Sequence, residues 1–158
     1  MMMLLRRQPV SDPCFAKTSA AIYKARGICG NWAKRNQVNY LELMVLRLLR
    51  QTEICTQKEI RRTYALPKQT VNNAVRALSR SGYLVVSRAK KDKRQRILQL
   101  TEAGVSYADE KLDLLSQVEE AVRNRMGTEE FAVLSQLIRN YIKILEIEMS
   151  NPEHFGEY

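Results

Sequence analysis

The chain holds a single histidine among its 158 residues, and that residue, His154, sits beside Pro152 in the last few positions. Imidazoles that shuttle protons near neutral pH or ligate zinc are therefore almost missing. The three cysteines, Cys14, Cys29 and Cys55, are odd in number and irregularly spaced. That pattern gives neither a disulfide framework nor a zinc site and suits a reducing compartment, where each reads most simply as a small buried hydrophobe. Long apolar runs are also absent, and the charges of Arg6 and Arg7 follow a few apolar residues with no hydrophobic region after them. Neither a membrane span nor a secretory signal is expected, and a cytoplasmic protein is. A Gly-rich phosphate loop and a Ser nucleophile motif are missing too. The carboxylate pairs Glu119-Glu120 and Glu129-Glu130 are sequence neighbours that point to different helix azimuths and read as surface charge. Neither catalysis, a metal nor a cofactor is expected.

What the chain does have is ordinary globular composition, 45% hydrophobic and 27% charged, in a length that suits one domain. Its charge is unevenly placed. Residues 56–101 hold twelve Lys or Arg against two acids, a local +10 in a chain whose total is +9. The positive field thus comes from one compact segment, and such a field seeks a polyanion.

Within that segment, Thr56 and Glu59 form a Thr-x-x-Glu capping box that starts a short helix through Ile60 to about Tyr64. Pro67 disfavours helical geometry in the residue before it and suits the first turn of a new helix, so a tight turn at Ala65 and Leu66 is expected. In the second helix Val71, Val75 and Leu78 recur at i, i+4 and i+7 and face a core. Lys68, Gln69, Thr70, Asn72, Asn73, Arg76 and Arg80 occupy its other faces. Amides read adenine and guanidinium reads guanine, so this face has groove-reading chemistry, although alone it also fits a solvated helix surface. Gly82 suits a left-handed helix end, after which Tyr83 to Ser87 and Arg96 to Leu100 read as two strands, with Leu98 and Leu100 on one face. The turn between them carries Lys90, Lys91, Lys93 and Arg94, a tip that repels itself unless an anion relieves it. A narrow minor groove supplies such relief.

The run from Gly82 through Asp92-Lys93-Arg94 to Leu100-Thr101-Glu102-Ala103-Gly104 resembles the wing signature of the MarR family of winged helix-turn-helix regulators, in which Asp-x-Arg precedes a strand ending in Leu-Thr-x-x-Gly. The likeness extends upstream through Leu78 and Ser81-Gly82-Tyr83-Leu84 and, more loosely, over the whole chain. It implies a mainly α fold with a small β-hairpin wing (α+β). Residues 53–101 would form the winged helix-turn-helix lobe, 13–52 and 102–150 the helices of a dimerisation frame, and 151–158 a tail. It further implies that Arg94 enters the minor groove, that Asp92 orients it or the turn, and that Gln69, Thr70, Asn72, Asn73 and Arg76 fall on positions that read bases or phosphates; Lys68 is expected beside them as a phosphate contact.

Outside the basic segment, helices are expected around Phe15 to Trp32 and Tyr40 to Leu49. Thr101 is expected to cap a helix running towards Met126, with a break at Gly127 and a new helix capped by Thr128. That last helix is very apolar, with Phe131, Leu134, Leu137, Ile138, Tyr141, Ile142, Leu145 and Met149 covering nearly half its circumference. The partner it calls for is a second copy. The reading that results is a homodimeric, sequence-specific regulator of double-stranded DNA on a near-palindromic operator. By the resemblance it is a repressor released by a small phenolic or other aromatic ligand. Tyr23, Trp32, Tyr40 and Met44 are candidates to line a ligand site, and they also fit plain core. Cys14, near the start of the first helix with Lys17 close by, is a candidate redox sensor for a peroxide-responsive repressor. A winged-helix protein-docking module is the alternative from a different class, and it would expose an apolar patch in place of the amide-rich face.

Overall fold

The computed structural model describes residues 12–88 and 96–154. Its elements follow in the order α1 (Pro13–Arg35), α2 (Tyr40–Thr52), α3 (Gln57–Tyr64), α4 (Lys68–Arg80), β1 (Leu84–Arg88), β2 (Arg96–Leu100), α5 (Glu102–Met126) and α6 (Thr128–Met149), closed by a 3-10 turn at Pro152–His154. The fold is mainly helical with one antiparallel hairpin. The chain divides into two compact units, one ending at Leu112 and the other starting at Asp113.

The first unit holds the core. Leu46 and Leu49 of α2, Ile60 of α3, Leu78 of α4, Leu84 of β1, Leu98 of β2 and Ala108 of α5 close around one another, each nearly or fully buried. Burying a Leu or Ile stabilises by about 1.5–3 kcal/mol, so this cluster dominates the unit's energetics. The expected stripe Val71, Val75 and Leu78 is buried, and Ala74 completes it. Polar contacts then fix how the helices cross. The Tyr64 hydroxyl donates to the Met44 carbonyl at 3.1 Å, and Arg50 grips Asp109 through Nε at 2.6 Å and Nη2 at 3.1 Å. The ion pair is half exposed and contributes orientation more than stability.

Local chemistry sets the element boundaries. The Thr56 hydroxyl accepts the Glu59 amide at 3.2 Å while the Glu59 carboxylate accepts the Thr56 amide at 2.6 Å, which is the anticipated capping box. α3 ends at Ala65 in a left-handed conformation with φ +48°. Pro67 occupies the cap position before α4 and lies outside the first helical turn, its carbonyl accepting from Val71 at 3.3 Å. Gly82, at φ +75°, ends α4 as expected. The Tyr83 and Gly82 amides reach back to the Leu78 and Ser79 carbonyls at 3.0 and 3.1 Å, the paired bonds of a Schellman ending. One pairing was not anticipated. Cys55 and Leu98 exchange backbone hydrogen bonds at 3.2 and 2.8 Å, so the residue just before the capping box lies along β2.

Thr101 caps α5 as expected, accepting the Gly104 amide at 2.9 Å, and its hydroxyl also donates to the Gly82 carbonyl at 2.7 Å. Gly104 itself is packed so close to Tyr83 that an added Cβ would collide with the Tyr83 carbonyl. The Tyr83 and Tyr107 rings stack in parallel beside it, their centroids 4.2 Å apart. The root of the hairpin and the first turn of α5 are thereby joined.

In the second unit, the rest of α5 and α6 are separated by Gly127, whose φ of +96° makes the expected break. Gly127, and not Thr128, is the cap residue, and no side chain caps this helix. A Cβ at Gly127 would strike the Glu130 carboxylate, which folds back over the start of α6 and supplies the negative charge that the helix dipole favours there. Leu115 is the only buried apolar residue of this unit among the described residues, and α6 buries none. Its apolar side chains exceed the single stripe read from the sequence. Val133, Ile144 and Ile147 extend it past Leu137, away from Leu134, Ile138 and Ile142, and all of them are exposed.

Candidate nucleic-acid interface

α4 owes its place to its buried stripe. With Val71, Ala74, Val75 and Leu78 turned into the core, the helix must turn Lys68, Gln69, Asn73, Arg76 and Arg80 outward, and all five are exposed. Thr70 and Asn72 lie at the edges, partly covered. The Gln69 side-chain amide donates to Asn73 Oδ1 at 3.1 Å, one turn apart, which aligns two amide groups as a single polar surface. Such a pair offers both donor and acceptor to a base edge. Three cations flank it, and no acid lies on α4.

The hairpin supplies a second cationic feature. β1 and β2 pair in the register Leu84 with Leu100, Val86 with Leu98 and Arg88 with Arg96. Two exposed arginines therefore face each other at the end of the described hairpin, an arrangement that costs stability unless an anion lies near. Lys90, Lys91, Asp92, Lys93 and Arg94 lie outside the described residues. Val85 and Val86 are exposed on β1, and Leu84 is its one buried residue.

The cysteines differ from the reading of three buried hydrophobes. Cys55 is buried and its thiol is pushed up to about 11 by burial and by the nearby Glu59 carboxylate, so it stays protonated at neutral pH. Cys29 is partly buried, and Cys14 is exposed in the first turn of α1, its amide donating to the Asp12 carboxylate at 2.6 Å. Of the aromatic residues considered for a ligand site, Tyr23 is 75% exposed; the Met44 carbonyl accepts from Tyr64. Tyr40 lines a cleft of about 600 Å³ at the junction of α1 and α2, with Arg26, Gly30, Lys34, Gln37 and Asn39 for company. This cleft was not legible in the sequence, because its walls are eight residues apart on one helix and meet a second only through the turn. Among the described residues no cluster of His, Cys, Asp and Glu is placed to hold a metal ion, and no helix is long and apolar enough to cross a membrane.

A capped α3, a tight turn, an outward-reading α4 and a basic two-stranded hairpin together make a winged helix-turn-helix. The model of the MarR family matches residues 36–95, from the end of α1 into the wing. No curated protein sequence matches the chain. In fold it is similar to a MarR family regulator from Neisseria meningitidis, with 24% identity and a TM-score of 0.77 over 88% of this chain and 98% of that one. It is similar at 19% identity and a TM-score of 0.71 to BpsR of Bordetella bronchiseptica, whose DNA binding is regulated by 6-hydroxynicotinic acid, over 85% and 96% of the two chains. A mutant of the E. coli regulator MarR in complex with operator DNA matches at 16% identity and a TM-score of 0.68, over 82% and 93%. Residues 36–95 thus match the MarR family model, and the chain shares the fold of the regulators to which it is similar.

Proposed function

We propose that the protein is a homodimeric, sequence-specific regulator of transcription that binds double-stranded DNA, represses by occluding a near-palindromic operator, and lets go when a small aromatic ligand binds. The observation that carries this reading is α4, whose buried stripe forces an amide-rich, cationic face outward. In this reading Gln69, Thr70, Asn72, Asn73 and Arg76 enter the major groove, Lys68 holds a phosphate, and the wing lies along the minor groove with Lys90, Lys91, Lys93 and Arg94 at its tip and Asp92 orienting it. The exposed apolar faces of α6 support self-association, since contiguous patches of this kind mark protein contacts. Two copies double the contacts and give the operator its symmetry, with half-sites about one helical turn apart. The regulation of BpsR by an aromatic acid supports a ligand of that class.

The reading is tested by selecting bound sequences from a random duplex pool at about 150 mM salt, where non-specific electrostatic binding is weak. An enriched palindrome supports it. A pool that stays random, with only salt-sensitive binding, removes sequence-specific regulation. The selected operator then serves for release tests with aromatic acids, and with peroxide, because exposed Cys14 is accessible to an oxidant. Peroxide release that survives Cys14→Ser discards the thiol as sensor.

A further inference from the structure

The cleft at the α1–α2 junction belongs to no element of the winged helix-turn-helix motif. Arg26, Gly30 and Lys34 recur every four residues, so they stand one above another on a single face of α1. Both cations are exposed. Gly30 between them has no side chain, although glycine inside a helix weakens it. Nothing in the chain demands its absence, because a Cβ added at Gly30 would meet no atom within 4 Å. The gap is open towards solvent, flanked by two positive charges. The cleft also continues. Asn39 and Leu41, which line it at the start of α2, line a second groove of about 390 Å³ whose far wall is Thr70 and Asn73 of α4. A surface track therefore leads from Arg26 and Lys34, past the start of α2, to the amide-rich face of α4.

We infer that this track carries the DNA backbone beyond the motif, with Arg26 and Lys34 each neutralising a phosphate that flanks the base pairs read by α4. The inference rests on the DNA-binding reading and extends it to α1. The start of α2 is not the source of attraction, since the Asn39 side chain already accepts the Leu41 and Glu42 amides at 2.8 and 3.3 Å. The guanidinium and the ammonium do the holding. Gly30 lets the sugar-phosphate chain pass between them without a side chain in the way. Glu42 is the acid that lines the second groove, and burial disfavours its charged form. The alternative occupant, a small anionic effector held by the same two cations, predicts no effect of these residues on DNA affinity.

The test uses full-length protein and a random-sequence duplex of about 30 base pairs, three helical turns, at several salt concentrations. A random duplex reads phosphate contacts without needing the operator. Arg26→Ala and Lys34→Ala are each expected to weaken binding and to lower the slope of log affinity against log salt by about 0.9 per protomer bound, and together by about twice that. Lys34→Arg should restore the slope. Gly30→Leu should raise the melting temperature, as a better helix former facing open space, and yet weaken binding, a combination that a purely structural glycine does not give. Slopes unchanged in both alanine variants, with Lys68→Ala weakening binding as a control, overturn the track and leave the DNA-binding reading standing. If the alanine variants bind normally but lose release by an aromatic acid, the cleft is an effector site and the inference is wrong. If wild-type protein and the Lys68→Ala variant bind equally poorly, the DNA-binding reading itself has failed.

Discussion

In the first unit Leu46, Ile60, Leu78 and Leu98 are at most 1% exposed, whereas in α6 of the second unit Leu137, Ile144 and Ile147 keep 60, 58 and 58% of their surface in water. Both regions are rich in aliphatic side chains. What separates them is whether the periodicity matches a neighbour. α4 has one apolar stripe and one core to meet it, so its remaining faces are left for polar and charged groups. α6 has apolar side chains around more than half its circumference, and none of them is buried. Hydrophobic content therefore says how much surface needs covering and not where the cover comes from. The first region closes on its own core and turns one polar, cationic helix face outward; the second leaves an apolar face exposed.

That contrast is open to attack at four points. Leu78→Ala, which empties a space at the centre of the core, is expected to cost about 2–5 kcal/mol, read as a lower denaturant midpoint at an unchanged slope. A loss below about 1 kcal/mol would show that the first unit is loosely packed and that its contrast with α6 is overstated. Ile138→Asp is expected to cost about 2 kcal/mol of self-association, shifting sedimentation towards the monomer. It should also abolish a rise in melting temperature with protein concentration. An unchanged sedimentation profile moves the interface to the other edge of this apolar face, where Ile144→Asp is the matching variant. Thr101→Val removes both the α5 cap and the bond to Gly82, and a loss of about 1–2 kcal/mol should appear in thermal unfolding. A neutral result would mean that the hairpin root holds without it. Glu53 sits at φ +61° and ψ −42°, a conformation that strains a side-chain-bearing residue. Glu53→Gly should therefore stabilise by about 0.5 kcal/mol, the relief of strain exceeding the entropy that glycine adds to the unfolded chain. Destabilisation there would indicate that the Glu53 side chain makes a contact worth more than the strain.

The features legible in the sequence were those decided within a few residues. Thr56 with Glu59, Gly82 after α4, the break at Gly127 and the stripe of Val71, Val75 and Leu78 each need only their near neighbours, and each is where it was expected. Those that needed the folded chain were missed or misplaced. The pairing of Cys55 with Leu98 joins residues 43 positions apart. Gly104 looks like any helical glycine until the Tyr83 carbonyl is brought against it. Thr128 has the right chemistry for a cap, but Gly127 alone tolerates the φ of +96° needed at the junction, so the threonine falls one position inside. The full width of the apolar face of α6 escaped because a narrower one was enough to explain the sequence. Cys14 is exposed because α1 buries little beyond Ala33. Of the recognition surface, the helix face was readable from spacing, and the cleft of Arg26 and Lys34 was not, because it exists only once α1 and α2 meet.

The stack of Tyr83 on Tyr107 has a practical consequence. The two phenols belong to different elements, one at the root of the wing and one in the second turn of α5, and they are held parallel at 4.2 Å. Rings so close absorb as a coupled pair, and their circular dichroism in the near ultraviolet depends on the angle between them. Any tilt of the wing relative to α5 therefore alters an optical signal already built into the protein. The single tryptophan, Trp32, fluoresces apart from it on α1. Motion of the wing and motion at α1 can thus be followed in the same unlabelled sample, each through its own chromophore.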